Sequence, residues 1–287
     1  MSIRIVTDST ADLSPELAAE HNITVVPASV LFGDEELLDG VDIKSQGFFE
    51  RLGRESTLPT TSQPAPGAFR AAYEQLAAEG ATEILSIHVS GKLSGTIGAA
   101  QQGAQGLEGV RIEHVDSELV TLAMGLGVIS AARAVEGGAS LDEARDLAIA
   151  QFARTHTYFL VDTLEYLQRG GRIGRAGAAI GTLLRVKPLL TLSDGEVEAA
   201  GRVRTKKKAI ADMLRRVSEL TPIEQMMASH GASPAESMDL ARELRAIAPD
   251  AELFTGEVGP AIGVHTGPGM LACAVVTATE NSPATAT

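Results

Sequence analysis

Short β-branched and aliphatic runs alternate along the first half of this chain with longer alanine-rich stretches. Apolar runs of about four to eight residues between turn signals predict strands, and apolar positions three or four apart predict helices. Consecutive strands and helices of this kind form right-handed crossovers, which predicts a mainly parallel α/β/α sheet. The predicted strands cover residues 3–7, 24–32, 83–89 and 110–115, and the predicted helices cover residues 64–79, 95–105, 119–136 and 141–154.

After residue 157 the pattern changes to one that predicts a mixed sheet. Residues 188–193 and 196–201 flank Asp194-Gly195, a strong signal for a two-residue hairpin turn. We therefore predict an α/β protein of two domains, residues 1–156 and 157–280, followed by a disordered tail at 281–287. Further predicted strands are residues 158–161, 225–229, 252–257, 261–265 and 271–277, and further predicted helices are a small-residue stretch ending at Arg185 and residues 205–220 and 234–247.

Composition excludes several classes of partner. The 287 residues carry a formal net charge of −13, and aromatic residues make up 3% with no tryptophan. This charge repels nucleic acids and anionic lipid surfaces, and few rings are available to stack on bases. The single cysteine, Cys273, forms no intrachain disulfide, no run reaches the roughly 18 apolar residues of a membrane span, and no signal peptide is visible. We expect a cytoplasmic protein that is a monomer when free, without nucleic-acid binding or stable membrane insertion.

Hydroxyl side chains cluster where predicted strands end and helices begin. Segment 90–96, Ser-Gly-Lys-Leu-Ser-Gly-Thr, contains Ser94, and segment 60–63, Thr-Thr-Ser-Gln, contains Thr61 and Ser62. Loops at the carboxyl ends of parallel strands collect N–H donors that suit a carboxylate or a phosphate. His265, in a third loop, can join the same small polar site. Each hydroxyl is also of the type that caps a helix, and a lone histidine is commonly a satisfied core residue.

The sequence lacks the motifs of a self-sufficient catalyst. Lys92 has no P-loop glycine in the required position before it, so this chain is not predicted to bind ATP. Gly91 lies three residues before Ser94 instead of two, which does not fit a nucleophile elbow. The histidines show no paired spacing typical of zinc sites. We therefore predict no metal and no cofactor.

A basic segment stands out from the acidic remainder of the chain. Residues 169–208 contain ten Lys and Arg against three acids, a local charge of +7, whereas the other residues carry 14 bases and 34 acids, or −20. Guanidinium groups present a fixed fork of donors to phosphate. This clustering favours Arg172 and Arg204 as contacts to a phosphorylated ligand or an acidic partner. The lysines at 206–208 can also be a solvated helix face.

Six ordered motifs in this sequence resemble the DegV family, and the similarity covers nearly the whole chain. They are Thr-Asp-Ser-Thr-Ala-Asp-Leu at 7–13, Thr-Ser-Gln-Pro within 59–67, Leu-Ser-Gly-Thr at 93–96, Arg-Gly-Gly-Arg-Ile at 169–173, Arg-Val-Arg-Thr at 202–205 and His-Thr-Gly-Pro-Gly at 265–269. The better understood members of that family are fatty-acid-binding subunits of bacterial fatty acid kinase. Two departures bear on the shape of the pocket: Gly91 replaces an expected serine, and Ile97 replaces an expected aromatic residue.

The resemblance implies a non-catalytic carrier of a long-chain fatty acid that feeds phospholipid synthesis. By this resemblance, the carboxylate is bound by hydroxyl side chains with a histidine beside it, and two arginines dock a separate kinase subunit or assist its phosphoryl transfer. That subunit supplies ATP and magnesium, and the carrier then holds the acyl phosphate. The implied carboxylate ligands are Thr61, Ser62, Ser94 and His265, and the implied docking or transfer residues are Arg172 and Arg204.

The resemblance also implies an aliphatic tunnel for the acyl chain in the second domain. Burying one CH₂ group stabilises by about 0.8 kcal/mol, so a chain of about 16 carbons gains on the order of 12 kcal/mol before costs. Residues 176–184 and 189–192 are candidates for the lining, and they fit ordinary core equally well.

Two other functions stay open from the residues. One is a self-sufficient hydrolase or phosphotransferase that uses Ser94 and His265 on a small acyl or phosphate substrate. The other is a lipid carrier that has no kinase partner. Activity without a partner favours the first, and the outcome of a partner pull-down separates the second from the kinase subunit.

Overall fold

The computed structural model describes residues 2–182 and 187–279, and the chain divides into two compact units. The first unit is Met1–Ala153 with Gly259–Val264, and the second is Arg154–Val258 with His265–Thr287. The chain thus returns to the first unit for six residues late in the sequence, an excursion that the predicted division at residue 156 does not contain. The predicted tail at 281–287 lies outside the described residues.

The first unit is built on a parallel sheet. Its strands run in the order β2-β1-β6-β7, and each neighbouring pair is parallel. A separate small sheet has the antiparallel order β4-β3-β5. The strands are β1 (Ile3–Asp8), β2 (Ile23–Val26), β3 (Ser29–Phe32), β4 (Glu35–Leu38), β5 (Thr60–Ser62), β6 (Glu83–His88) and β7 (Arg111–Asp116).

Helices cover both faces of the parallel sheet. On one face, Val6 and Ile84 pack with Phe69 and Tyr73 of α3 and with alanines of α4. Successive strand side chains alternate between faces, so the buried residues between them point to the other face, where α5 and α6 contact the sheet. The helices are α1 (Pro15–Glu20), α2 (Ser45–Leu52), α3 (Pro66–Ala78), α4 (Thr96–Ala104), α5 (Leu122–Glu136) and α6 (Leu141–Phe152).

The second unit has a mixed sheet in the order β10-β9-β8-β13-β11-β12. Only β11 and β12 pair in parallel among the described strands of this sheet. The strands are β8 (Thr155–Leu160), β9 (Lys187–Ser193), β10 (Glu196–Val203), β11 (Ile223–His230), β12 (Glu252–Glu257) and β13 (Leu271–Thr277), and the helices are α7 (Glu165–Arg169), α8 (Lys206–Ser218) and α9 (Pro234–Ile247). The predicted α/β class, with one parallel and one mixed sheet, is confirmed.

The core of the second unit is aliphatic. Buried residues of the central strands pack with Met213 of α8 and Leu244 of α9. Cys273 belongs to this core, and burial raises the pKa of its thiol to about 12. It is a packing residue, as predicted. In residues 2–182 and 187–279, no helix has the length and hydropathy needed to cross a membrane.

The hairpin prediction is confirmed by the backbone. Asp194 and Gly195 link β9 to β10 with φ values of 50° and 76°, and positive φ at both turn positions is typical of a type I′ turn. The predicted extended stretch at 24–32 is instead divided between β2 and β3, which belong to different sheets. The predicted small-residue helix before Arg185 is a 3₁₀ helix over Gly174–Thr182, and Arg185 lies outside the described residues.

One strand prediction is wrong. Residues 261–265, predicted as a strand, form helix α10 (Pro260–Thr266). A short apolar run does not distinguish a strand from a helix by its periodicity. Pro260 begins the helix, because its fixed φ suits the first helical position, and buried carboxylates of the first unit accept hydrogen bonds from the backbone around it.

Candidate functional site

The loop after β6 carries the first predicted site residue. Ser94 Oγ lies 2.8 Å from Thr96 Oγ1, and Ser94 N–H donates to the carbonyl of Ser90 at 3.0 Å. The N-cap of α4 is Gly95, without a side-chain hydrogen bond. The interpretation of Ser94 as the helix cap is therefore wrong, because the helix begins one residue later than a serine cap requires. Its hydroxyl instead forms a partly exposed pair with Thr96.

The second hydroxyl segment, residues 60–63, contains strand β5 and is not simply the loop that precedes a helix. Thr61 pairs with Val30 of β3, and Ser62 pairs with Ser29. The side chain of Ser62 is exposed and that of Thr61 is partly buried. Ser62 Oγ donates to the carbonyl of Gln63 at 3.3 Å. Strand β5 is an edge strand of the small sheet, and Thr61 and Ser62 lie on its opposite faces, because successive side chains of a strand alternate.

Gln63 joins these two segments, which we call the hydroxyl loops (residues 60–63 and 90–96). A β-carbon on Gly95 would lie 2.3 Å from Gln63 Oε1 and 3.1 Å from its Nε2. The amide of Gln63 therefore rests directly on the backbone beside Ser94. Sequence analysis named Gln63 only as part of a motif. No pattern within either segment records this contact, which forms between residues far apart in sequence.

A chain of buried polar groups supports the hydroxyl loops from below. Asp8 Oδ2 accepts from Val89 N–H at 3.2 Å and lies 3.0 Å from His88 Nδ1. His88 Nε2 lies 2.7 Å from Ser86 Oγ, which lies 2.7 Å from the hydroxyl of Tyr73. All four polar side chains are fully buried. Sequence analysis missed this network, although two polar residues two positions apart in an apolar strand were a signal for it.

The buried network does not provide a nucleophile. Asp8, His88 and Ser86 are hydrogen-bonded to one another in the same succession as the acid, histidine and serine of a hydrolase triad. The Ser86 hydroxyl, however, is buried away from solvent and hydrogen-bonded to Tyr73. Asp8 also caps the 3₁₀ turn Ser9–Ala11 by accepting from Thr10 N–H and its hydroxyl. The network thus ties the ends of β1 and β6 together. Satisfied polar networks of this kind rigidify a core.

A steric contact and a hydrogen bond both explain why residue 91 is glycine. Its N–H donates to Asp116 Oδ2 at 3.0 Å, and a β-carbon at this position would lie 2.8 Å from the same oxygen. Asp116 also accepts from Glu118 N–H at 2.9 Å. The carboxylate therefore occupies the space that a side chain at residue 91 would need. This accounts for glycine where the resemblance led us to expect serine.

Two buried carboxylates hold the late excursion of the chain. Asp12 Oδ1 accepts from Gly259 N–H at 2.7 Å, and Asp39 accepts from Ala261 N–H and from Ser9 Oγ, the latter at 2.7 Å. Burial raises the pKa of Asp39 to about 6 and raises the pKa of Asp12 well above its usual value, and the neighbouring carboxylates add to both shifts. These acids accept hydrogen bonds from Gly259 N–H, just before α10, and from Ala261 N–H in its first turn, which stabilises the start of the helix.

His265 follows the excursion directly and belongs to the second unit. It is largely buried, and burial together with the positive charge of Arg172 lowers the pKa of its imidazole to about 4. The ring rests on Gly170, where a β-carbon would lie 2.2 Å from Nδ1. His265 is therefore neutral at pH 7. Thr61, Ser62 and Ser94 belong to the first unit and His265 to the second, so the grouping of all four in one site stays a prediction.

Side chains from α7 and from the segment before it pack directly against two glycines that follow His265. A β-carbon on Gly267 would lie 2.3 Å from the ring of Tyr166, and one on Gly269 would lie 2.1 Å from Asp162 Oδ2. Together with His265 on Gly170, three side chains and three glycines interlock. Close packing therefore contributes to the conformation of the loop after His265.

The basic segment is partly neutralised within the second unit. Arg175 forms ion pairs with Asp194, Glu196 and Glu198, and Arg169 pairs with Glu165. These two side chains are thus poor candidates for docking an external partner.

The two predicted docking arginines have different environments. Arg172 is partly buried and donates through Nη1 to the carbonyl of Gly170 at 2.7 Å. Arg204 is exposed, directly before Thr205, whose hydroxyl caps α8. Arg172 is therefore held near His265, whereas Arg204 faces solvent.

The candidate tunnel segments lie in the 3₁₀ helix and in β9. Ala176 is buried, and Leu189 and Leu190 are fully buried, with Leu189 in the aliphatic core of the second unit. Residues 183 and 184 lie outside the described part of the chain. Across residues 2–182 and 187–279, no group of three or more His, Cys, Asp or Glu could hold a metal ion.

Comparison with known proteins gives full-length matches. A family model described as "Uncharacterised protein, DegV family" matches residues 2–278. A DegV domain-containing protein of Streptomyces coelicolor is 40% identical over 277 residues, which are 95% of this chain and 98% of the relative. A fatty-acid-binding DegV family protein from Thermus thermophilus superposes with a TM-score of 0.90 at 36% identity, covering 97% of this chain and 100% of that one. DegV of Bacillus subtilis, a fatty acid binding protein, superposes with a TM-score of 0.89 at 33% identity, covering 96% and 99%.

Proposed function

The chain belongs to the DegV family, and from this premise we propose that it binds a long-chain fatty acid through the hydroxyl loops. The observation that carries the proposal is the contact of Gln63 with Gly95, which brings together the two segments that contain Thr61, Ser62 and Ser94. The similarity to the fatty-acid-binding proteins of Thermus thermophilus and Bacillus subtilis supports it.

The hydroxyl loops suit a carboxylate. Hydroxyl donors can each give one hydrogen bond to an ionised head group, and bonds to charged groups contribute about 1.5–3 kcal/mol each. The Asp8 and Asp116 carboxylates hold the loop backbone from below, so the donors need little reordering when the ligand arrives. The affinity for the lipid then comes chiefly from burial of its chain.

The family resemblance also makes the neutral imidazole of His265 a candidate hydrogen-bond donor to the carboxylate. With a pKa of about 4, it carries no charge at pH 7 and can donate one hydrogen bond while its other nitrogen accepts one. A neutral donor binds the carboxylate without forming a buried ion pair, whose desolvation is costly.

The carrier has no catalytic role of its own in this proposal. It presents the carboxylate to a separate ATP-dependent kinase subunit and then holds the acyl phosphate. Arg172 and Arg204 serve the docking of that subunit or the phosphoryl transfer, since guanidinium groups recognise phosphate and carboxylate geometry. The local positive charge on an acidic protein supports this assignment.

Native mass spectrometry of the purified protein, before and after denaturation, tests the lipid proposal. We expect a co-purifying fatty acid at about one per chain, or uptake of added oleate. A protein that arrives empty and takes up no added fatty acid contradicts the proposal and favours a self-sufficient enzyme.

A second experiment tests the kinase role. The oleate-loaded protein is incubated with a fatty acid kinase ATP-binding subunit, ATP and magnesium, and acyl phosphate is measured. Arg172→Ala should retain oleate and lose most of the product. Normal phosphorylation of this variant would contradict the role of Arg172, and absence of product with the wild-type protein would favour a carrier without a kinase.

A further inference from the structure

Three consecutive lysines begin α8, and only the first turns inward. Lys206 has a side chain that is 24% exposed, whereas Lys207 and Lys208 are exposed. Lys206 Nζ donates to Glu236 Oε2 at 2.6 Å and to the carbonyl oxygen of Gly269 at 3.1 Å. The interpretation of all three as a solvated helix face therefore fails for Lys206.

The placement of Lys206 does not serve its own helix. A cation in the first turn of a helix opposes the macrodipole, which favours anions there. The ammonium group instead links two other elements: Glu236 in the first turn of α9 and the loop after His265. The positive charge of Lys206 is unfavourable for its own helix, and its ammonium group bonds to two other elements. The structural role of Lys206 therefore lies at the end of its side chain, where these two elements meet.

The N–H, the carbonyl and the α-carbon of Gly269 all make contacts that hold this residue in place. Its N–H donates to the carbonyl of Gly231 at 2.8 Å, its carbonyl accepts from Lys206, and its α-carbon rests on Asp162. Its φ of 84° is in the region that glycine tolerates best. Because Gly269 lies four residues after His265, these contacts fix the direction in which the chain leaves the imidazole.

We propose that Lys206 is a positioning residue for His265, acting through the carbonyl of Gly269, and not a member of the docking surface. Its use in lipid binding rests on the proposed function; its effect on the His265 loop does not. Removing the ammonium frees one carbonyl and one carboxylate, and the loop then loses the hydrogen bond that connects it to α8 and α9. The imidazole moves away from Gly170 and Arg172 and becomes hydrated.

The test compares Lys206→Met with Lys207→Met, which removes the same charge from a neighbouring exposed side chain. The imidazole signals of the full-length protein are followed by NMR between about pH 8 and about pH 5, with His265→Gln used to assign them. In the wild type and in Lys207→Met the His265 signal should not titrate. In Lys206→Met it should titrate with a midpoint between about 5 and 6.5, and Lys206→Arg should restore most of the wild-type behaviour.

A His265 signal that stays constant in Lys206→Met overturns the proposal. If that variant does not fold, Glu236→Gln provides the second test, because it keeps Lys206 and removes the charge that holds its ammonium. It should give a smaller change of the same sign, and no change at all would also overturn the proposal. Binding of oleate by the wild type is measured in parallel, so failure of the lipid function is seen separately from failure of the positioning role.

Discussion

The side-chain amide of Gln63 occupies the space in which a β-carbon on Gly95 would lie, with Oε1 only 2.3 Å from that position. Gly95 has φ −79° and ψ 11°, a conformation that alanine can adopt. Gly95→Ala should therefore leave the backbone unstrained and displace only the amide. We expect a small change in thermal stability and about a tenfold weaker affinity for oleate by calorimetry, since about 1.4 kcal/mol corresponds to that factor.

The control for Gly95→Ala is Gly98→Ala, three residues further along. Nothing lies within 4 Å of a β-carbon there, so this change should leave affinity intact and stabilise α4 by about 0.5–1 kcal/mol. In a Gln63→Ala background, Gly95→Ala should have little further effect on affinity. Equal losses in both backgrounds would show that the amide does not link the two loops.

The protein hydroxyls that are proposed to bind the carboxylate give a second prediction. Thr61→Ala and Ser94→Ala should each weaken oleate binding by about 1–3 kcal/mol, because each removes a hydrogen bond to an ionised group. Ser56→Ala, at an exposed serine, serves as the matched control and should bind like the wild type. Isothermal titration calorimetry measures all three. Wild-type affinity in the Thr61→Ala/Ser94→Ala double variant would remove the hydroxyl loops from the proposed site.

Asp39 predicts a pH dependence of folding. Its pKa is raised from 3.8 to about 6, chiefly by burial, so the folded protein holds the proton more tightly than the unfolded chain. The contribution of this group to the free energy of unfolding should therefore fall by on the order of 3 kcal/mol as the pH rises from about 4 to about 6, and level off above that range. Urea titrations at several pH values measure this slope.

Asp39→Asn isolates that contribution. The amide keeps an acceptor for Ala261 N–H and can donate to Ser9 Oγ, while the buried charge is gone. The variant should be more stable than the wild type near pH 7 and should show a shallower slope between pH 4 and 6, with Asp12 supplying the remainder. Asp34→Asn, at an exposed turn, should change neither quantity. A wild-type slope in Asp39→Asn would contradict the assignment.

The sequence correctly predicted those elements that depend only on residues within the element itself. Asp194-Gly195 forms the predicted hairpin turn, because a two-residue turn depends on residues only a few positions apart. The buried strand at Glu83–His88 was equally clear from its apolar run.

Long-range contacts decided what the sequence could not predict. Helix α10 begins directly after Gly259, whose N–H donates to Asp12 across 247 positions of sequence, and no periodicity within residues 261–265 records that partner. Gln63 and Gly95 are likewise apart in sequence and meet only once both segments are folded. The hydroxyl residues were predicted from local composition, whereas the groups that position them came from the structure.

Gly170 gives the last prediction, because the nearest obstacle to a side chain at this position is the ring of His265. Its φ of −74° suits alanine, but a β-carbon would lie 2.2 Å from His265 Nδ1 and 3.1 Å from the carbonyl of Tyr166. Gly170→Ala should lower the free energy of unfolding by about 1–3 kcal/mol, as overpacking does, and raise the pKa of His265 from about 4 towards its usual value by pushing the ring into water. Gly177→Ala, whose β-carbon would meet Ile173 at an ordinary 3.4 Å, should change stability by less than about 0.5 kcal/mol. Urea denaturation and NMR titration of both variants measure this, and equal behaviour of the two would mean that the ring of His265 does not depend on Gly170.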